Sequence, residues 1–180
     1  EVAIISLGGI VSSRSERIAG DELNQDIIDY ARNEFNLMLG ERTAEEIKIN
    51  IGAASPTGEQ LTAPMRGRDL ITGLPKQITV DDTQICQALS KSIQTLVDAV
   101  RITIEEAPPE LVADILEQGI VLAGGGALLR GLDKLIADAT DTAVHIADDP
   151  LTCVARGTGV VLEDLDALRD VLLPTEFIRP

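Results

Sequence analysis

Three successive glycines, Gly124, Gly125 and Gly126, follow the apolar run Ile120-Val121-Leu122-Ala123 and lead into Ala127-Leu128-Leu129. Residues without a Cβ let a ligand lie against main chain, and where such a turn opens a helix the first amides are unpaired and the dipole is positive. That chemistry suits a nucleotide; the alternative is a tight strand-to-helix turn that holds nothing. The string is neither G-x-G-x-x-G nor G-x-x-x-x-G-K-[ST], so the dinucleotide and P-loop readings do not apply.

A second cluster lies upstream. Thr43-Ala44-Glu45-Glu46 reads as a capping box, the threonine hydroxyl accepting from the third helical amide while Glu46 reaches back, a device worth about 1 kcal/mol. On the short helix it opens, Ala44, Ile47 and Ile51 form the buried side, and Glu45 and Lys48 project together from another face. Taken alone that pair is a surface ion contact worth about 0.3 kcal/mol. The chain, however, carries 30 Asp and Glu against 15 Lys and Arg, a net charge of −15. Such a field opposes an anionic ligand, which must then be held by local amides, a lysine and a bound cation. Lys48 therefore counts for more than a generic lysine.

The same charge excludes nucleic acid as a partner. Tyr30, Phe35 and Phe177 are the whole aromatic content, too little for base stacking on a single strand. Cys86 and Cys153 stand in apolar contexts without a C-x-x-C pair, and His145 is the one histidine; zinc, disulfide and Cys-His nucleophile readings lack their parts. Both thiols read as reduced packing residues of a cytosolic protein, and His145 as structural. Asp81-Asp82 and Asp148-Asp149 each precede a helical pattern, so capping explains them better than metal binding.

Among the 180 residues, 44% are hydrophobic, which is enough for a real core, and no apolar run reaches the roughly 20 residues of a membrane span. Glu1 already sits within an apolar run, an expectation that the chain starts partway through a larger protein. Val2 to Leu7 is apolar on both alternating faces, as in a strand covered on both sides; Gly8-Gly9 reverses it into a half-exposed return through Ala19. Asp21 is the expected N-cap of a helix with Leu23, Ile27, Ile28, Ala31, Phe35 and Met38 on one stripe, closed by Gly40. Ser55-Pro56-Thr57-Gly58 breaks the chain, and Gln60 to Val80 suits short antiparallel strands. Asp81-Asp82 starts a long helix ended by Pro108-Pro109, and another helix runs to Gly119. Then come a buried strand, the glycine turn, a helix from Ala127 to Ala139 with Leu128 and Leu129 inward, and a strand from Ala143 to Ile146. Last is a helix capped by Asp149, with Pro150 at N1 and Leu151, Val154, Ala155, Val161 and Leu162 along it. Within it Gly157 and Gly159 each cost about 1 kcal/mol against alanine, so another backbone is expected close by.

Taken together, several strings resemble the MreB family of bacterial actin homologues over essentially the whole chain. They are Ile5-Ser6-Leu7-Gly8-Gly9-Ile10-Val11, Ile18-Ala19-Gly20-Asp21-Glu22, Gly40-Glu41-Arg42-Thr43-Ala44-Glu45, Pro108-Pro109-Glu110-Leu111, Leu122 through Leu132, and Asp149 through Gly157. The last separates the family from heat-shock chaperone ATPase domains, sugar kinases and plasmid-segregating actins. The resemblance implies an α/β, actin-like ATPase fold, of which this is the second half. A ribonuclease H-like subdomain IIA (1–19 and 82–180) would be split around a small subdomain IIB (20–81). It implies ATP or ADP with magnesium in the cleft between halves. The adenosine-contacting turn maps onto Gly124, Gly125, Gly126, Ala127 and Leu128, and the purine and ribose contacts from IIB map onto Glu45, Glu46 and Lys48.

The resemblance also places the second phosphate loop immediately before Glu1, and the first phosphate loop, catalytic acid and membrane-binding element in the other half. No catalytic or metal-binding residue is therefore expected within this chain. The implied whole is a cytoplasmic, membrane-associated filament protein that organises peptidoglycan synthesis in a rod-shaped bacterium. Its partners would be further subunits, a membrane-anchored adaptor resembling RodZ and the elongation machinery. Two other classes fit the residues alone: an actin-fold small-molecule kinase or phosphatase, and a half-actin adaptor without nucleotide.

Overall fold

The computed structural model describes residues 1–56 and 58–164; Thr57, Phe177 and the rest of the expected span beyond Asp164 lie outside the described residues. The apolar opening forms β1 (Val2–Ser6), which pairs antiparallel with β2 (Gly9–Arg14). Leu7 (φ 51°) and Gly8 (φ 79°) both have positive φ, as the centre of a tight I′ hairpin requires. The reversal thus falls one residue before the expected Gly8-Gly9, with Ser6 opposite Gly9 across the two-residue turn and a bulge between Ile4 and Ile5 farther along the ladder. Nor is β1 covered on both faces. Val2 packs on the core while Ile5 stays 67% exposed.

The chain turns at Gly20 into α1 (Gly20–Phe35), which buries Leu23, Ile27 and Ala31. Asp21 is not its cap. Ala19 holds that position without a side-chain acceptor, and Asp21 lies inside the first turn, where a carboxylate still complements the dipole. The helix also stops short of Met38 and Gly40. Asn36 adopts the left-handed conformation, donates its amide to the carbonyls of Ala31 and Arg32, and sends Leu37–Met38 away as β3. Gly40 instead precedes α2 (Glu41–Ile51) as its N-cap, which moves Thr43 into the helix and removes the expected capping box. Glu46 accepts from Arg42 Nε at 3.1 Å.

β4 (Thr62–Asp69) and β5 (Pro75–Asp81) form the expected antiparallel hairpin, with β3 on the outer edge of β4. Its tip is held by one carboxylate. Asp69 Oδ1 accepts from the amides of Ile71 (2.8 Å) and Thr72 (2.9 Å), and Asp69 Oδ2 lies 3.1 Å from Lys76 Nζ. The Thr72 amide foremost, then the Lys76 side chain and the Ile71 amide, lower the Asp69 pKa to about 2.

β5 runs into α3 (Asp82–Glu105), the longest element. The expected cap at Asp81 forms, and it is a full capping box: Gln84 donates its amide to Asp81 Oδ1 at 2.8 Å, and its Oε1 accepts from the Asp81 amide at 3.0 Å. Ile85, Leu89, Ile93 and Val97 of α3 lie in one buried core with Ile27, Leu37 and Met65. α4 (Pro109–Gln118), β6 (Ile120–Leu122), α5 (Leu132–Thr140), β7 (Val144–Ile146) and α6 (Cys153–Glu163) follow, with β6 and β7 parallel. The boundaries expected between two lobes fall at the starts of α1 and α3, and buried residues on both sides of them share one core cluster.

Two expectations fail near the end. α6 starts at Cys153 with Thr152 as N-cap, because Asp149 takes φ 48° and its Oδ2 accepts from Thr152 Oγ1 at 2.6 Å. And nothing lies within 4 Å of a Cβ built on Gly157 or Gly159: α6 is largely solvated, with Val154, Val160 and Leu162 exposed, and the backbone expected close to those two glycines is not there among the described residues. None of the described helices is long and apolar enough to cross a membrane.

Two measurements follow from these geometries. In denaturant unfolding, Asp81→Ala should cost about 1 kcal/mol, whereas Thr43→Ala should stay within about 0.5 kcal/mol of the parent. Asp69 holds its proton less tightly when folded, so its contribution is complete above the ordinary carboxylate value of 3.8 and fades as pH falls toward about 2. The stability difference between the parent and Asp69→Asn should therefore shrink between those two pH values.

Candidate functional site

The glycine turn is shorter than a helix. Gly125–Leu128 forms one 3-10 turn, and Leu129 is already extended. The expected continuous helix from Ala127 is broken at Leu129-Arg130-Gly131, and α5 begins afresh at Leu132. Four residues sum to little macrodipole, so what the turn offers is bare main chain rather than helix charge. Gly124, at φ 84°, needs its glycine and donates its amide to the Pro150 carbonyl at 2.8 Å. Ala127 and Leu129 donate to the carbonyls of Gly124 (3.2 Å) and Gly126 (3.1 Å). This pattern leaves Gly125 and Gly126 as the first amides of the turn, which have no partner within it.

Above the turn lies open space. A Cβ on Gly124 or Gly126 would meet nothing within 4 Å, while one on Gly125 would touch Leu151. Of the two apolar residues assigned to the site, Leu128 is 54% exposed rather than inward, and Ala127 is buried. Ala127 can therefore offer a ligand only its backbone.

The acid and lysine cluster sits on α2. Glu45 and Glu46 are exposed, and Glu46 is paired with Arg42. Glu45 and Lys48 do not form the surface pair that their spacing allows. Lys48 Nζ instead donates to the Gly20 carbonyl at 2.8 Å, tying α2 to the first turn of α1. One helical turn after Lys48, Gly52 closes the helix, its amide on the Lys48 carbonyl at 2.9 Å.

The segments that follow α2 and the glycine turn meet in a crossing that sequence reasoning missed. Ala53 bridges Arg130 in parallel register, and the Ala54 amide donates to the Arg130 carbonyl at 2.7 Å. The Arg130 side chain donates back into the end of α2: Nε to the Gly52 carbonyl (3.1 Å) and Nη2 to the Asn50 carbonyl (3.0 Å), with Nη1 3.4 Å from Glu59 Oε2. Gly131, at φ 74°, lies so close to Ser55 that a Cβ would collide with its Oγ. The available signal was one cation inside the apolar string Leu128-Leu129-Arg130-Gly131-Leu132, which has to find partners when that string is packed.

A separate cleft lies elsewhere. About 430 Å³ opens between β1 and β6 over α3 and α4, lined by Glu1–Ser6 on one side and Ile120–Leu122 on the other. β1 pairs only with β2, and β6 only with β7, among the described residues. The cleft contains no residue of α2 or the glycine triplet. His145 packs beside Gly119. Burial and the neighbouring Asp82 push the Cys86 thiol pKa up, away from thiolate chemistry at neutral pH. No group of three or more His, Cys, Asp or Glu among the described residues could hold a metal ion.

This arrangement of elements is that of actin-like proteins. The MamK double helical filament shares it at a TM-score of 0.66 and 23% identity, over 81% of this chain and 45% of that one, a likeness of fold alone. MreB 5 of Spiroplasma citri bound to AMPPNP is closer, with a TM-score of 0.87 and 37% identity over 93% of this chain and 50% of that one. In sequence, residues 1–170 match the family model described as MreB/Mbl protein. The cell shape-determining protein MreB of Escherichia coli strain K12 is 48% identical over 166 residues, 92% of this chain and 48% of its own length. The chain belongs to the MreB/Mbl family and spans about half the length of the relatives it matches.

The open face of the turn yields a direct test. A Cβ on Gly126 meets no atom within 4 Å, so Gly126→Ala should move the thermal midpoint by no more than a few degrees. If the turn holds a nucleotide, Gly126→Leu in the full-length protein should lower ADP affinity by about tenfold or more by occupying the space above the backbone, as read by calorimetric titration.

Proposed function

We propose that this chain is the C-terminal half of an ATP-binding, filament-forming protein that determines rod cell shape, and that it supplies the adenosine side of the nucleotide cleft. The observation that carries the reading is the open glycine turn joined, through the Arg130 crossing, to the end of the helix bearing Glu45, Glu46 and Lys48. A relative similar over nearly the whole chain binds AMPPNP, which supports a nucleotide as the ligand.

In this reading the purine and ribose rest on the backbone of Gly124, Gly125 and Gly126 beside the exposed Leu128. The carboxylates of Glu45 and Glu46 accept from ribose hydroxyls or the base, and Lys48 adds a donor once it leaves the Gly20 carbonyl. Magnesium and the phosphates belong to groups of the other half; the cation would neutralise phosphate charge that a chain of net charge −15 otherwise repels. The assembled protein would polymerise, as MamK does in its double helical filament. It would work in the cytoplasm, organising peptidoglycan synthesis with a membrane adaptor resembling RodZ and the elongation machinery, and reach the membrane through its other half.

Phosphoryl transfer is almost wholly positioning and charge stabilisation around the phosphates. The 180-residue chain alone should therefore turn over ATP no faster than buffer and bind ADP poorly, while the full-length protein hydrolyses ATP slowly. A magnesium-dependent turnover that copurifies with the chain through successive columns would overturn the assignment.

A further inference from the structure

We infer that Arg130 is a positioning residue for the nucleotide site: it latches the C-terminal end of α2 to the segment that follows the glycine turn, and so fixes the face carrying Glu45 and Lys48 relative to Gly124–Gly126. The inference rests on the nucleotide reading above and adds to it a residue that touches no nucleotide.

The argument begins with unpaired carbonyls. The last turn of a helix leaves acceptors without intrahelical partners, and a cation there meets both the acceptors and the negative end of the dipole. For α2 that cation comes from far along the chain. Arg130 donates to the carbonyls of Asn50 and Gly52 and pairs with Glu59, while its own carbonyl accepts from Ala54. A planar guanidinium serves two carbonyls in fixed geometry, which an ammonium cannot reproduce. Lys48 is one turn before Gly52 on the clamped helix, and Leu128, the end of the glycine turn, is two residues before Arg130. Gly131, at positive φ, brings the chain against Ser55 at the same crossing, and in this reading the crossing sets the spacing between the two halves of the site.

Calorimetric titration of the full-length protein with ADP tests this. Arg130→Ala should weaken ADP by about tenfold through lost preorganisation, and Arg130→Lys by about threefold, since one donor can still reach a carbonyl. If the arginine acts through α2, adding Arg130→Ala to Lys48→Ala should cost little beyond the larger single effect. Arg14→Ala, which removes a comparable ion pair with Glu106, should leave ADP affinity unchanged. ADP binding by Arg130→Ala within twofold of the parent, or losses that simply multiply with those of Lys48→Ala, would overturn the inference. Should Arg130→Ala fail to fold, Arg130→Lys decides: a loss of affinity at an unchanged thermal midpoint supports the latch, and unchanged affinity overturns it. If Lys48→Ala, Glu45→Ala and Gly126→Leu all bind ADP like the parent, the nucleotide reading itself fails and the latch with it. A loss in those three with none at Arg130 removes the latch alone.

Discussion

Where the chain leaving α2 crosses the chain leaving the glycine turn, backbone lies on backbone. Ala53 and Ala54 run beside Arg130, and Gly131 faces Ser55 with no room for a methyl group. The contact joins residues on opposite sides of the long β4–β5 hairpin and the whole of α3. Buried main chain must find partners, and here each segment supplies the other's. The rest of the molecule is arranged around that constraint: α2 approaches the turn at one angle, and α3 fills the core between them.

Much of this was legible where the determining forces are local. The cap at Asp81 needs only neighbours in sequence and formed as expected, as did the antiparallel strands expected within Gln60 to Val80 and the buried stripe Ala44, Ile47 and Ile51. The Thr43 box failed because Gly40, three residues earlier, already serves as the N-cap, and a four-residue pattern does not say where the helix starts. The same limit moved the caps at Asp21 and Asp149. Alternation in Val2–Leu7 was real, but alternation reports that side chains point both ways and is silent about whether anything covers them. Gly157 and Gly159 illustrate the converse, since a glycine in a helix can be tolerated without being used.

For the candidate site, the turn stood out by its composition, whereas spacing alone made Glu45 and Lys48 a surface pair and only the family resemblance assigned them, with Glu46, to a ligand. The geometry changed what each can do. A 3-10 turn gives close approach and little field, Ala127 gives only backbone, and Lys48 is engaged with Gly20. Arg130 went unread because its partners, Gly52, Asn50 and Glu59, are remote in sequence; a lone cation in an apolar string announces a need without naming what meets it.

The cleft between β1 and β6 has a different import. Each bordering strand is hydrogen bonded to a neighbour on one side and, among the described residues, lacks a strand on the other, and strands pair at about 4.8 Å spacing. A cleft bordered by β1 and β6 and lined by residues of α3 and α4 therefore carries two sheet edges, and an uncovered edge presents a row of main-chain donors and acceptors that a fold has to cover or blunt.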